Sequence, residues 1–218
     1  MKNNGFIKEN KGKIIISSIL ILLPIVAGII LWNKLPDTMA VHWGVNNEPN
    51  GYASKFSAVF LMPLFLLAIH ILCFFVTSFE KRIDNINKKS LALVFWIIPT
   101  ISILANATVY AIALGKNIDV GFYAMLLIGF VLCFIGNYMP KTKQNSVYGI
   151  KIPWTLKSED NWNKTHRFAG ICYCIAGVAL IATTIIWNVW YFSLAALILI
   201  LAPVIYSYAY YAKYEKNR

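Results

Sequence analysis

Six apolar runs constrain this chain more than any other feature. They cover roughly residues 14–33, 57–78, 91–115, 121–138, 168–187 and 190–211. A helix rises about 1.5 Å per residue, so about 20 apolar residues cross the ~30 Å hydrocarbon layer. Only 13% of the residues are charged and the mean hydropathy is +0.62, whereas a soluble domain carries roughly 25% charged residues. The runs therefore predict an all-α integral membrane protein with six transmembrane helices. The first run follows Lys2, Lys8, Lys11 and Lys13, as a signal peptide would. It outlasts the usual h-region of about 7–15 residues and is read as a retained first helix.

The basic residues orient these helices. Four Lys/Arg lie in the N-terminus, four in 79–90, six in 139–167 and three in the C-terminus. The intervening loops hold only Lys34, Lys55 and Lys116. Cytoplasmic loops collect Lys and Arg, so both termini are expected in the cytoplasm. The loop after the first helix is then extracytoplasmic, and the long loop between helices 4 and 5 is cytoplasmic. The net charge of +11 is thereby assigned to topology and to anionic membrane lipids, with no direct nucleic acid binding. Trp32, Trp187, Trp190, Tyr206, Tyr208, Tyr210 and Tyr211 are expected in interfacial belts.

The span interiors carry little chemistry. No Asp, Glu, Lys or Arg lies near the middle of a run, and proton relays and ion-coupled carriers usually need such charges. Asn106 and Thr108 are expected to bond across helices, and His70 to be a neutral imidazole on a neighbouring carbonyl. Cys73, Cys133, Cys172 and Cys174 all fall inside apolar runs. A disulfide framework would place them outside, so they are read as small apolar side chains in lipid. Pro24, Pro63, Pro99 and Pro203 sit within spans, where neighbouring groups can satisfy the carbonyls they release.

Two loops hold the remaining information. In the first, Pro36, Pro49 and Asn50-Gly51 are turn-formers, and Met39 to Trp43 alternate weakly like a short strand. This predicts a structured cap. His42, Asp37 and Glu48 lack the spacing of a zinc motif, so no metal is expected. In the long loop, Ser158-Glu159-Asp160 is a helix start with acid in the first turn. Trp162 and His166 follow at i,i+4 on one face. Trp154 and Trp162, beside Lys151, Lys164 and Arg167, are read as an amphipathic anchor at headgroup level. His42 and His166 are expected on opposite sides of the membrane and cannot share a site. Neither loop has a nucleophile-elbow or metalloprotease spacing, so no enzyme and no cofactor are expected.

The two loops together resemble the SdpI family of bacterial immunity proteins. The first match is Leu35-Pro36, His42-Trp43, Gly44, Gly51-Tyr52 and Lys55. The second is Asn145, Gly149-Ile150, Pro153-Trp154-Thr155-Leu156, Trp162 and His166-Arg167. One departure is Lys151, where the family pattern has arginine; lysine keeps the charge and loses the bidentate fork. The resemblance implies a multi-pass protein of the bacterial plasma membrane that protects its cell from a small peptide toxin, the sporulation-delaying peptide in the family's name-giving case. It also implies, for some members, capture of an ArsR-like DNA-binding repressor at the membrane. The chain divides on this reading into a hairpin with its first loop at 1–78 and a four-helix region at 79–218. His42, Trp43, Gly44, Gly51, Tyr52 and Lys55 would face the toxin. Asn145, Gly149, Lys151, Pro153, Trp154, Thr155, Leu156, Trp162, His166 and Arg167 would form the cytoplasmic site. The alternative is a transporter or facilitator of a small amphiphile or peptide.

Overall fold

The computed structural model describes residues 3–44, 46–187 and 192–216. Among them, six helices are long and apolar enough to cross a membrane. They are α1 (Asn3–Ile30), α2 (Met62–Ser78, preceded by a π-helical turn over Ser57–Leu61), α3 (Lys88–Ala113), α4 (Val120–Tyr138), α6 (Glu159–Trp187) and α7 (Phe192–Tyr214). A two-stranded antiparallel sheet, β1 (Thr38–Trp43) with β2 (Pro49–Ser54), follows α1. The short α5 (Pro153–Lys157) precedes α6. The chain is a multi-pass membrane protein. It is not wholly α: the first loop is a β-hairpin, and α1 and α6 begin well before the apolar runs that announced them. The connection between α6 and α7 at Asn188 lies outside the described residues, as do Trp190 and the side chain of Trp187.

The contacts divide the chain into two compact units. One contains the residues up to Phe79 together with Ala92–Gly121, and the other Glu80–Leu91 together with the residues from Phe122.

In the first unit, α1 is fastened by hydroxyls around Pro24. Ser102 Oγ donates to the Ile21 carbonyl at 2.9 Å, and Tyr110 Oη donates to the Pro24 carbonyl at 3.1 Å. Both acceptors lie within one turn of Pro24, so α3 fastens to α1 where the proline removes a rung from its ladder. His70, fully buried, bonds the Ser17 hydroxyl at 2.8 Å rather than a carbonyl. Ser17 itself donates to Ile14 O, so His70 Nε2 carries the proton and donates. Asn106 is also fully buried, but its Nδ2 bonds the Ser102 carbonyl one turn back in its own helix and does not cross to another.

In the second unit, small residues on α4 and α6 let two backbones touch. On α4 they are Gly129, Cys133 and Gly136, and on α6 Gly170, Cys174 and Gly177. The spacing of four then three repeats on both helices and meshes in antiparallel order. A Cβ on Gly136 would lie 2.7 Å from Cys174 N and 2.9 Å from Gly170 O. Cys133 and Cys174 therefore pack into this seam. Cys133 Sγ approaches Cys174 O at 3.9 Å, Cys174 Sγ approaches Cys133 O at 3.8 Å, and Cys172 is buried. In lipid there is little hydrophobic force between helices, so close backbone approach carries the association. A buried polar cluster then joins α6 to α7. Asn161 Nδ2 donates to Ser207 O, and Asn161 Oδ1 accepts from Ser207 and Thr165 at 2.9 and 3.0 Å.

Candidate functional site

The sequence-predicted residues fall in two places, the hairpin of the first unit with Lys55 just after it, and the 142–158 loop of the second with the first turns of α6. In the hairpin, alternation decides which side chains face inward. Met39, Val41 and Trp43 pack on a core that includes Leu35, Val59, Val109 and Tyr110, with Met39 only 1% exposed. His42 and Tyr52 project the other way and are exposed, Tyr52 by 62%. The His42 Nδ1 donates to Asn50 Oδ1 at 2.5 Å, which fixes the ring. Gly51 is paired opposite His42, and a Cβ there would meet His42 Cβ at 2.8 Å. Gly44 forms the turn: its N–H bonds Glu48 O and its carbonyl accepts from Asn47 N. Lys55 pairs with Asp37 at 3.1 Å and lies 5.3 Å above the Trp32 ring, with a side chain only 15% exposed. Thus Trp43, Gly44, Gly51 and Lys55 shape the hairpin, while His42 and Tyr52 are displayed by it.

Sequence reasoning missed Asn47. It holds a left-handed backbone (φ 59°), a conformation Asn tolerates better than most residues. Its side-chain amide donates to Ile118 O at 3.2 Å and accepts from Val120 N at 2.9 Å. One carboxamide thereby ties the hairpin tip to the α3–α4 connection.

The 142–158 loop is organised around a buried knot. Asn145, 2% exposed, uses its whole amide locally. Its Oδ1 accepts from Val147 N and Tyr148 N, both at 2.8 Å, and its Nδ2 donates to Lys143 O and Tyr148 O. Gly149 then takes φ +128°, open only to glycine, and its missing Cβ leaves room for His166 Nε2 and the Trp162 ring. Ile150 N donates to His166 Nε2 at 3.0 Å, and His166 Nδ1 donates to Trp162 O at 2.7 Å. These two bonds specify a neutral imidazole with its proton on Nδ1. Trp162 Nε1 donates to Thr142 O at 2.9 Å. Thr155, fully buried, bonds the Ile150 and Ile152 carbonyls and receives Ile152 N. Tyr148 donates to Ile135 O, and burial pushes its phenol up to about 12, so it remains a donor across the physiological range.

This arrangement corrects the anchor reading of Trp162. That residue is 0% exposed: its indole N–H bonds Thr142 O, its ring stacks on His166, and Gly149 lies close against its edge. Trp154 is half-buried and stacks on Tyr211 at 5.7 Å. Pro153 opens α5 at a position where its absent N–H is not needed. Lys151, Leu156 and Arg167 point outward. Ser158 caps α6 as expected, its Oγ accepting from Asn161 N at 3.2 Å.

A second group missed by sequence reasoning braces the loop from the α2–α3 connection. Arg82 Nη1 donates to Gln144 Oε1 at 2.7 Å, Asn85 Nδ2 to Gln144 O at 2.7 Å, and Ser146 N to Glu80 Oε2 at 2.6 Å. Gln144 Nε2 passes the connection on to Thr155 O. These contacts span some 60 residues of sequence, so no local pattern announces them.

The knot lies within residues 141–207, which match the SdpI/YfhL protein family. The chain is also 28% identical over 207 residues, 94% of its length, to the immunity protein SdpI of Bacillus subtilis (strain 168), and covers 97% of that relative. The chain is thus similar to the SdpI/YfhL family over residues 141–207 and to SdpI over nearly its whole length. Its first hairpin falls in a second match at residues 19–67, to a domain of unknown function (DUF1648). No solved structure matches the chain. The SdpI/YfhL match thus includes every residue of the buried knot, and DUF1648 includes His42, Tyr52 and their supports.

Proposed function

We propose that this chain is a membrane immunity protein that protects its cell by binding a small membrane-active peptide toxin. The observation that carries this reading is the end-to-end similarity to the immunity protein SdpI, which leaves no large region of either chain unmatched. Binding is favoured over catalysis because the displayed residues are an imidazole, a phenol and exposed apolar groups, not an activated nucleophile. His42 and Tyr52 stand on the outer face of the hairpin, and Phe56, 57% exposed, continues the apolar surface toward α2. By the charge bias, this hairpin is extracytoplasmic, where a secreted peptide arrives.

A second role, reporting to a cytoplasmic ArsR-like repressor, is favoured by one observation. Thr155 ties α5 to the knot, and Lys151, just before α5, and Leu156, within it, remain exposed. Exposed groups on a braced loop suit partner recognition.

The test is protection. A strain sensitive to the sporulation-delaying peptide, expressing this protein, should survive peptide that kills the vector control. His42→Ala with Tyr52→Ala should reduce protection at unchanged membrane abundance. Loss of viability identical to the vector control, with the protein present in the membrane, would reject the reading.

A further inference from the structure

The start of α6 and the end of α7 enclose a cavity of about 630 Å³ with an unusual lining. Three cations, Lys164, Arg167 and Lys213, stand around a floor formed by Phe168 and Tyr206, whose rings lie 5.0 Å apart. Lys164 is already engaged: its ammonium lies 3.5 Å from the Asp160 carboxylate and 3.1 Å from the Tyr210 hydroxyl, which in turn donates to Asp160. Arg167 is exposed and, among the described residues, has no hydrogen bond or ion pair. Lys213 rests 5.0 Å from the Tyr214 ring centre, a contact that leaves its N–H donors available. Three cations and one carboxylate leave a positive excess beside the unpaired guanidinium.

Depth narrows the ligand. The apolar part of α6 begins at Phe168, and that of α7 gives way to polar residues after Tyr206. At about 1.5 Å per residue, Lys164 lies roughly 6 Å and Lys213 roughly 10 Å beyond that floor. The headgroup layer adds roughly 5–8 Å on each side of the hydrocarbon, which takes in the backbone of Lys164 and is within reach of the Lys213 side chain. Exposed Ile171, one turn from Arg167, and exposed Ile205, one turn before the cavity-lining Ala209, continue the floor with apolar surface. A soluble anion would use the cations and ignore this surface; a lipid would use both.

We propose that the cavity binds the headgroup of an anionic phospholipid, its phosphate between Arg167 and Lys213 and its acyl chains leaving over Phe168 and Tyr206. Guanidinium matches phosphate through two parallel N–H donors, and phenol rims suit the glycerol level. The cavity shares α6 with the buried knot and uses none of the knot's residues.

Native mass spectrometry of the full-length protein in detergent, titrated with phosphatidylglycerol and phosphatidylcholine of identical chains, tests this. Phosphatidylglycerol should bind at least tenfold more tightly. Arg167→Gln with Lys213→Gln should weaken it by about fivefold per cation lost, while Lys81→Gln with Lys88→Gln, the same charge loss elsewhere, should leave it unchanged. Equal binding of the two lipids would overturn the proposal. So would equal weakening by both double variants, or displacement of bound phosphatidylglycerol by 20-fold excess inorganic phosphate, which would mark a soluble-anion site.

Discussion

His166 lies flat on Trp162, with ring centroids 3.9 Å apart and planes 19° from parallel, and from that position its Nε2 receives the Ile150 amide. Two residues one helical turn apart on α6 thus act together on a loop sixteen residues upstream. The stack positions the imidazole, and the imidazole satisfies a buried donor that the chain could not otherwise pair.

His166→Ala should therefore destabilise the protein by about 1–3 kcal/mol, the cost of a buried unpaired amide, with a further contribution from the cavity left behind. Trp162→Phe should cost less, since it keeps most of the stacked area and loses the bond to Thr142 O. Thermal unfolding midpoints in detergent, in the order wild type, Trp162→Phe, His166→Ala, check the assignment. An unshifted midpoint for His166→Ala would mean that the knot carries no stability.

The α4–α6 seam predicts a contrast between glycines. Gly136→Ala forces a Cβ against backbone atoms of α6 that cannot swing aside, and should cost about 1–3 kcal/mol. Gly12→Ala, on α1 with nothing within 4 Å of the added carbon, should be neutral or stabilise by up to about 1 kcal/mol. The same unfolding measurement separates them.

Asn47 should govern the order of the hairpin more than its stability elsewhere. Asn47→Gly suits the positive φ yet removes both bonds to 118–120. Hydrogen exchange at the Val120 amide and along β1 and β2 should accelerate by about fivefold to thirtyfold, as expected for about 1–2 kcal/mol. Exchange in α6 and α7 should not change.

Thr155 and its exposed neighbours should separate loop architecture from partner contact. Thr155→Val leaves Ile150 O and Ile152 N without their hydroxyl and should lower stability, and Thr155→Ser should restore it. Lys151→Gln and Leu156→Ala should leave the unfolding midpoint within about 0.5 kcal/mol of wild type. If the cytoplasmic role holds, those two variants alone should lower membrane recruitment of an ArsR-like repressor.

Hydropathy made the six helices legible because apolar length is a property of consecutive residues. The start of α6 was equally local, written in Ser158-Glu159-Asp160. What the sequence left hidden depends on distant partners. β2 carries no alternation that marks PNGYAS as a strand, and it forms by pairing with β1. Nothing near Ser102 or Tyr110 reveals that they reach carbonyls of α1, which brings most of α3 into the first unit. The motif residues of the long loop were visible by their resemblance, but their division into a buried knot and an exposed rim was not. Asn145, Gly149, Thr155, Trp162 and His166 prove to be the loop's framework. Lys151, Leu156 and Arg167 are what it presents.

Protection of a peptide-sensitive strain tests the central claim most directly. With matched membrane levels confirmed by immunoblot, the wild-type protein should raise the lethal peptide concentration by at least tenfold over vector, and His42→Ala with Tyr52→Ala should return it most of the way. A wild-type curve superimposed on the vector curve would contradict the account.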